Sequence, residues 1–361
     1  MTLTQFIIKN IIKMSRNIKK FANKAEYNTY RNSTNYVEPH VSLIGNEPVP
    51  MFNDVTYGCE SIPLTLEMLE DGTVYFCSYN GPISYSINNG NWITEDDNVT
   101  GEYEINLDAG DEISFKGEYG LYAGPWQSSI WVGKSNGTCS KFNVKGNIMS
   151  IYYADDFENQ TTVPIGNDGG SGGTCGAFAY LFANNGGLIS SKRLILPATT
   201  VNEDAYDGMF NECVNMKDAP KLPATTLGVY CYRQMFYNCE SLKEAPDLPA
   251  TTLEEGCYSS MFSYCDSLTM APDLPATTLE YYCYEHMFYG CYDLNYVKCL
   301  CLTELSSMYT YYWLANCSIN GKVILNNDIN WEPCWGVNYG IPDGWICMKE
   351  DGTPFEEPLA V

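Results

Sequence analysis

The stretch Cys231-Tyr-Arg-Gln-Met-Phe-Tyr-Asn-Cys-Glu-Ser-Leu242, continued by Lys243-Glu-Ala-Pro-Asp-Leu-Pro-Ala-Thr-Thr-Leu253, decides how the chain reads, because it recurs. Leu-Pro-Ala-Thr-Thr begins at Leu196, Leu222, Leu248 and Leu274, a period of 26 residues. A Met-Phe pair keeps the same phase at Met209/Phe210, Met235/Phe236, Met261/Phe262 and Met287/Phe288. So do Cys213, Cys239, Cys265 and Cys291, and Tyr206, Tyr232, Tyr258 and Tyr284. A second cysteine column runs through Cys231, Cys257 and Cys283, with Ala205 in the first unit. Fixed-period repetition is the mark of units that bury their apolar sides only by stacking on one another.

Within a unit, Cys231, Met235 and Cys239 lie four residues apart, which predicts a short helix with one inward stripe. The prolines of Ala-Pro and Leu-Pro exclude helix from the stretch after Leu242 and leave it extended. The expected architecture is therefore a solenoid of helix-plus-extended units over 175–298, with Leu181-Phe182 as a degenerate first unit and a Trp-rich cap over 299–361. Upstream, Thr73-Val-Tyr-Phe-Cys77, Ile83-Ser-Tyr-Ser-Ile87, Tyr103-Glu-Ile-Asn-Leu107 and Ile113-Ser-Phe115 alternate β-formers between Gly-containing turns, which predicts an all-β, sandwich-like domain over 59–164. Gly166 to Gly173 reads as a flexible linker over 165–174, and residues 1–58 as a separate extended or helical arm.

The chain carries 44 Asp plus Glu against 20 Lys plus Arg, a net charge of −24, so its body repels polyanions and nucleic acid is not an expected partner. The arm inverts that sign: residues 1–24 hold Lys9, Lys13, Arg16, Lys19, Lys20 and Lys24 and no acid, and predict a short basic amphipathic helix. No apolar run there reaches signal-peptide or membrane-spanning length, and no membrane span is expected.

The 26-residue units resemble the BspA-like leucine-rich repeats of surface proteins from gut Bacteroidales and their phages, over roughly 175–300. The flanks Phe142-Asn-Val-Lys-Gly-Asn-Ile-Met-Ser150 and Gly340-Ile-Pro-Asp-Gly-Trp345 are similar to those that accompany such repeats. In the arm, Phe21-Ala-Asn-Lys-Ala-Glu-Tyr27 and Asn35-Tyr-Val-Glu-Pro-His-Val-Ser-Leu43 resemble the opening of virion-associated proteins of Bacteroides phages. That resemblance implies docking on other virion proteins through 1–58, with Phe21, Tyr27, Tyr36 and Pro39 as anchoring candidates. It implies attachment rather than catalysis: a virion surface protein of capsid or tail that presents its repeats to a cell-surface or mucosal glycan or protein. A bacterial surface adhesin, or a purely structural protein stabilising a capsid or tail, are the alternatives, and a homo-oligomer is left open.

Catalytic readings find little support. Leu-Pro-Ala-Thr-Thr lacks the glycine of a sortase signal, and the cysteines recur once per unit with no Cys-x-x-Cys beside a histidine, which reads as a column of buried thiols rather than a metal site. His40 and His286 have no nucleophile motif around them, and the acidic pairs read as solvated loops, so neither enzyme nor cofactor is expected. The positions that change between units point to solvent and carry the candidate binding face: Tyr230, Arg233, Tyr237, Tyr264, Tyr281, Tyr282, Glu285 and Tyr289. Tyrosine offers large contact area at low entropic cost and a ring that stacks on sugars.

Overall fold

A computed structural model describes residues 59–77, 81–95, 102–121, 129–134, 137–164, 176–336 and 338–355, together with the backbone of three short strands in the arm. The chain divides into two compact units, Met1–Ser61 and Ile62–Val361. In the first, β1 (Ile18–Phe21) pairs in parallel with β2 (Val41–Ile44), which pairs antiparallel with β3 (Glu47–Pro48). The helical arm expected from the basic N-terminus is not seen among the described residues. Residues 18–21 are extended, because a β-branched and an aromatic residue at the ends of Ile-Lys-Lys-Phe suit a strand and the partner Val41-Ser-Leu-Ile44 satisfies their backbone. Tyr27, Tyr36, Pro39 and the remaining basic stretch lie outside the described residues.

The second unit opens with β4 (Leu64–Met68), β5 (Gly72–Cys77), β6 (Ile83–Ile87), β7 (Ile93–Glu95), β8 (Glu102–Leu107), β9 (Glu112–Gly117), β10 (Ile130–Gly133), β11 (Phe142–Asn147) and β12 (Leu188–Ile195). A six-stranded sheet runs in the order β12-β11-β4-β9-β6-β7 and a three-stranded one in the order β10-β5-β8. Their inner faces share a core in which Phe76 of β5 meets Phe115 of β9 edge-on at 5.1 Å. The one helix among the described residues is α1 (Ser150–Tyr153). The join to the repeats is covalent and hydrogen-bonded: β12 directly precedes the first Leu-Pro-Ala-Thr-Thr and pairs in parallel with β11, from Phe142↔Leu188 to Asn147↔Ile195. The expected linker, 165–174, lies outside the described residues.

The leucine-rich-repeat solenoid of helix-containing units is not formed: among the described residues the structure is nearly all β, no helix reaches seven residues, and from 176 onward there is no helix at all. Hydrogen bonding shows why. Cys231, Arg233, Met235, Tyr237 and Cys239 each donate their N–H three residues back within the unit, whereas Tyr230, Tyr232, Gln234, Phe236 and Asn238 donate to carbonyls of the next unit, Tyr232 to Cys257 at 3.0 Å and Phe236 to Met261 at 2.9 Å. Half of the donors an α-helix would use internally are thus committed between units. The path is a run of tight turns with a left-handed residue every fourth position: Tyr230 (φ 52°), Gln234 (54°) and Asn238 (56°), then Gly256, Ser260 and Tyr264, then Tyr282, His286 and Gly290. A period of four also disagrees with helix geometry, since four residues of α-helix overshoot a turn by about 40° and the stripe would leave the core.

Stacked turns place like over like. Tyr206, Tyr232, Tyr258 and Tyr284 form a parallel-ring column with centroids 5.5, 5.9 and 6.3 Å apart. Phe182, Phe210, Phe236, Phe262 and Phe288 form another at 5.8, 5.6, 5.5 and 5.7 Å. The cysteines stitch successive units together, since the thiols of Cys213, Cys239, Cys265, Cys291 and Cys317 each donate to the carbonyl of the phenylalanine in the preceding unit, Cys239 to Phe210 at 3.2 Å. Every described cysteine is a free thiol. The Leu-Pro-Ala-Thr-Thr segments bury Leu and Ala but link only through single bridges such as Thr200↔Thr226, because proline removes a donor that a continuous ladder needs.

The pattern continues past Leu294 in altered residues. Trp313, Leu314 and Cys317 lie 26 positions after Met287, Phe288 and Cys291, and Phe288 donates to the Trp313 carbonyl at 2.9 Å. Three parallel strands, β13 (Tyr296–Cys299), β14 (Lys322–Leu325) and β15 (Ile346–Lys349), extend the stack, and β16 (Pro354–Phe355) pairs antiparallel on β15. Trp313 and Trp345 bury their rings and donate their indole N–H to the Gly340 and Ser318 carbonyls, both at 2.7 Å.

Candidate functional site

Because the inward pair of each turn recurs every fourth residue, the left-handed residue and the one before it lie off the core columns, from the exposed Tyr281 and Tyr282 to the buried Asp207, Ser259 and Ser263. These are the positions that change from unit to unit, and the structure sorts the eight candidate site residues on them into three groups and a lone Glu285.

Tyr230 and Arg233 belong to an internal cross-link. The Arg233 guanidinium grips Asp207 of the preceding unit with Nη2 at 2.6 Å and Nε at 3.1 Å, and lies 4.8 Å from the Tyr230 ring centroid. The Tyr230 hydroxyl donates to Glu255 at 3.0 Å, and its ring lies where a Cβ on Gly256 would stand. Asp204 stands 3.7 Å from Arg233, but its Oδ1 accepts no hydrogen bond. Burial, opposed by Arg233 and helped by the charges of Asp207 and Glu203, pushes its carboxyl up to about 6. The buried Asp207 carboxyl is also shifted upward by desolvation, against the pull of Arg233.

Tyr281 and Tyr282 form a second group, 51% and 41% exposed, with Tyr281 reaching the Tyr309 ring at 6.1 Å. Glu285 is tied down, accepting from the Ser259 hydroxyl at 3.3 Å and lying 3.8 Å from His286 Nδ1.

Tyr237, Tyr264 and Tyr289 are brought together, and they line an open pocket of about 460 Å³ completed by Ser260, Ser263, His286 and Tyr312. The rings touch in sequence: Tyr237 to Tyr264 at 5.5 Å, Tyr264 to Tyr289 at 5.4 Å, Tyr289 to His286 at 5.5 Å and His286 to Tyr312 at 5.6 Å. Desolvation lowers the affinity of His286 for a proton, despite Glu285 beside it, and so favours the neutral imidazole. The Ser263 hydroxyl donates to the His286 backbone carbonyl at 2.6 Å rather than to the ring, so no Ser–His pair is set up for nucleophilic chemistry. Among the described residues no group of three His, Cys, Asp or Glu side chains could hold a metal ion.

Of the lining residues, His286, Ser260, Ser263 and Tyr312 are absent from the candidates read from sequence. The signal was available in the period: Gly208, Gln234, Ser260 and His286 occupy one position of successive units, and Tyr237, Ser263 and Tyr289 another. Reading the units as helices hid that these two positions open side by side on one face. No protein-family model, curated protein or solved structure matches this chain.

Proposed function

We propose that this chain is a non-enzymatic attachment protein that binds a cell-surface or mucosal glycan or protein through the aromatic pocket of its stacked units. The observation that carries this reading is the gathering of Tyr237, Tyr264, His286, Tyr289 and Tyr312, from consecutive turns, around one solvent-open pocket. Elsewhere in the stack, tyrosines at the repeated core position are buried ring on ring, so this cluster is placed outside the needs of the core. Rigid aromatic groups at the centre of a concave surface are what small binding sites use for affinity.

The setting we propose is a phage virion surface, with residues 1–58 docking on other virion proteins. Its support is the run of basic residues at 1–24 against an otherwise acidic chain, together with the resemblance in the arm. Binding of the purified full chain to gut bacterial cells and to mucin, compared with a Tyr264→Ala/Tyr289→Ala variant of unchanged melting temperature, tests the pocket. A loss of tenfold or more is expected, which corresponds to about 1.4 kcal/mol. Equal binding by both proteins would overturn the reading. Deleting residues 1–58 is expected to abolish incorporation into particles, and unchanged incorporation would sink the anchoring role.

A further inference from the structure

Ring orientation in the pocket says more about its ligand than ring count does. Tyr237 and Tyr264 meet at 76°, Tyr264 and Tyr289 at 80°, Tyr289 and Tyr312 at 89°, and His286 and Tyr289 at 69°. A sugar ring binds on a flat aromatic platform, and here neighbouring rings share no plane apart from His286 with Tyr312, at 23°. Mutually perpendicular rings suit a compact, roughly spherical group that meets several aromatic walls at once. Their centroids are 5.4 to 6.3 Å apart, so the rings touch edge to face and form one continuous aromatic lining, against which a cation would sit within the roughly 6 Å reach of ring attraction.

Charge points the same way. None of the lining residues is Lys or Arg, and burial disfavours the charged form of the histidine. Carboxylates stand beside lining residues: Glu285 lies 3.8 Å from His286 Nδ1, and Glu212 accepts from Asn238, the neighbour of Tyr237, at 2.7 Å. An anionic sugar would be repelled in a chain of net charge −24. A primary ammonium is strongly hydrated and is best held by a carboxylate, and the lining, though it offers hydroxyl acceptors, has none. A methylated ammonium needs no hydrogen bonds and keeps its charge.

We propose that the pocket formed by Tyr237, Tyr264, His286, Tyr289 and Tyr312 is an aromatic cage for a quaternary ammonium group of the choline type. The proposal rests on the attachment reading and specifies its ligand class: a surface decorated with choline headgroups. Quaternary ammonium is recognised through ring faces and desolvation, the interaction that aromatic cages use for methylated cations.

The test is calorimetric titration of the full chain with choline, with phosphocholine, and with 3,3-dimethylbutanol, the neutral carbon isostere of choline. Choline is expected to bind at least tenfold more tightly than the isostere, because only the charge differs. Tyr289→Leu, which keeps the pocket apolar, is expected to lose tenfold or more of choline affinity, while Tyr289→Phe keeps it within threefold. Retention by Phe and loss by Leu, with unchanged melting temperatures, separates a cage from a folding defect. Phosphatidylcholine vesicles and a phosphocholine-bearing carrier protein then distinguish a lipid source of the group from a conjugated one, and capture of either supports the proposal. Equal affinity for choline and its isostere, or no choline binding at millimolar concentration, overturns it. If choline fails to bind while Tyr264→Ala/Tyr289→Ala still abolishes cell binding, the attachment reading stands and the cage does not. If choline binds while cell binding is unaffected, the cage stands alone.

Discussion

Replacing Gln234 by glycine and by alanine gives opposite signs in a helix and in the turns described above. Gln234 has φ 54° and its N–H donates to the Ser259 carbonyl at 2.9 Å, a bond that either substitution preserves. An L-residue held in the left-handed region costs roughly 1–2 kcal/mol, and glycine relieves it. Glycine also loses about 0.5–1 kcal/mol more backbone entropy on folding, so the net advantage of Gly over Ala at this position is about 0.5–1 kcal/mol. In a helix interior Gly is instead about 1 kcal/mol worse than Ala. The two structures therefore differ by about 2 kcal/mol in the Gly-minus-Ala difference, well outside the error of a paired urea titration. That glycine fits is shown by Gly208, which holds the equivalent position of the preceding unit at φ 57°. The assay is equilibrium urea unfolding of the full chain followed by circular dichroism, with Gln234→Gly expected to have the higher midpoint at unchanged slope. A Gln234→Ala protein more stable than Gln234→Gly would refute the turn-built unit.

Three further outcomes follow from particular contacts. Gly256→Ala should destabilise by about 2 kcal/mol or more, on the order of one left-handed strain plus one overpacked contact, since its φ is +56° and the new Cβ would run into the Tyr230 ring; thermal unfolding would show it. Tyr206→Phe should be neutral or stabilising by about 1 kcal/mol, because the Tyr206 hydroxyl is buried without a hydrogen-bond partner; a clear loss in melting temperature would contradict this. Asp204→Asn should stabilise at pH 7.5 by about 1 kcal/mol, after allowing for screening at a half-buried site, and by much less at pH 4.5. The sign follows from a folded-state pKa near 6 above the usual carboxylate value: the folded state takes up a proton as pH falls through 6, so the penalty of the charged form is present above that pH and fades below it. Equal stabilisation at both pH values would remove Asp204 from that role.

Much of the molecule is legible in its period. The Tyr, Phe and Cys columns, spaced 26 residues apart, are buried as like over like, and β5, β6, β8 and β9 cover the segments whose β-formers alternate between turns. What was not legible was the backbone path between the columns. Cys231, Met235 and Cys239 approximate one helix stripe over eight residues, and the distinction between a period of 3.6 and one of four emerges only when Tyr232 and Phe236, also buried, are counted with them. A pairing rule in the same sequence marks the turns. Tyr180, Tyr230 and Tyr264 each lie over a glycine of the next unit, Gly208, Gly256 and Gly290, so a tyrosine followed one unit later by glycine signals a ring laid across a left-handed turn. Arg233 reads as an outward ligand contact, because nothing in a linear string shows that it faces Asp207 across stacked turns.

The left-handed positions also connect the fold to the pocket. Asn and Asp tolerate this conformation and account for Asp204, Asn238 and Asn316; of the other left-handed side chains, Ser260, Tyr264, His286 and Tyr312 line the pocket, while Tyr180, Glu212, Tyr230, Gln234 and Tyr282 lie outside it. Glycine at each would relieve roughly 1 kcal/mol of strain and leave the inter-unit hydrogen bonds in place. Strain of this kind persists where the surroundings hold it. Ring contacts from Tyr264 to Tyr289 and from His286 to Tyr312 supply part of that support, about 0.5–1.5 kcal/mol for each aromatic pair. Cutting one support should therefore loosen its neighbour: Tyr312→Gly is expected to relieve its own strain yet free the His286 ring, so that the urea midpoint changes little while choline affinity in the calorimeter falls. A binding module is built in that way, with backbone strain held in place by the same rings that form the site.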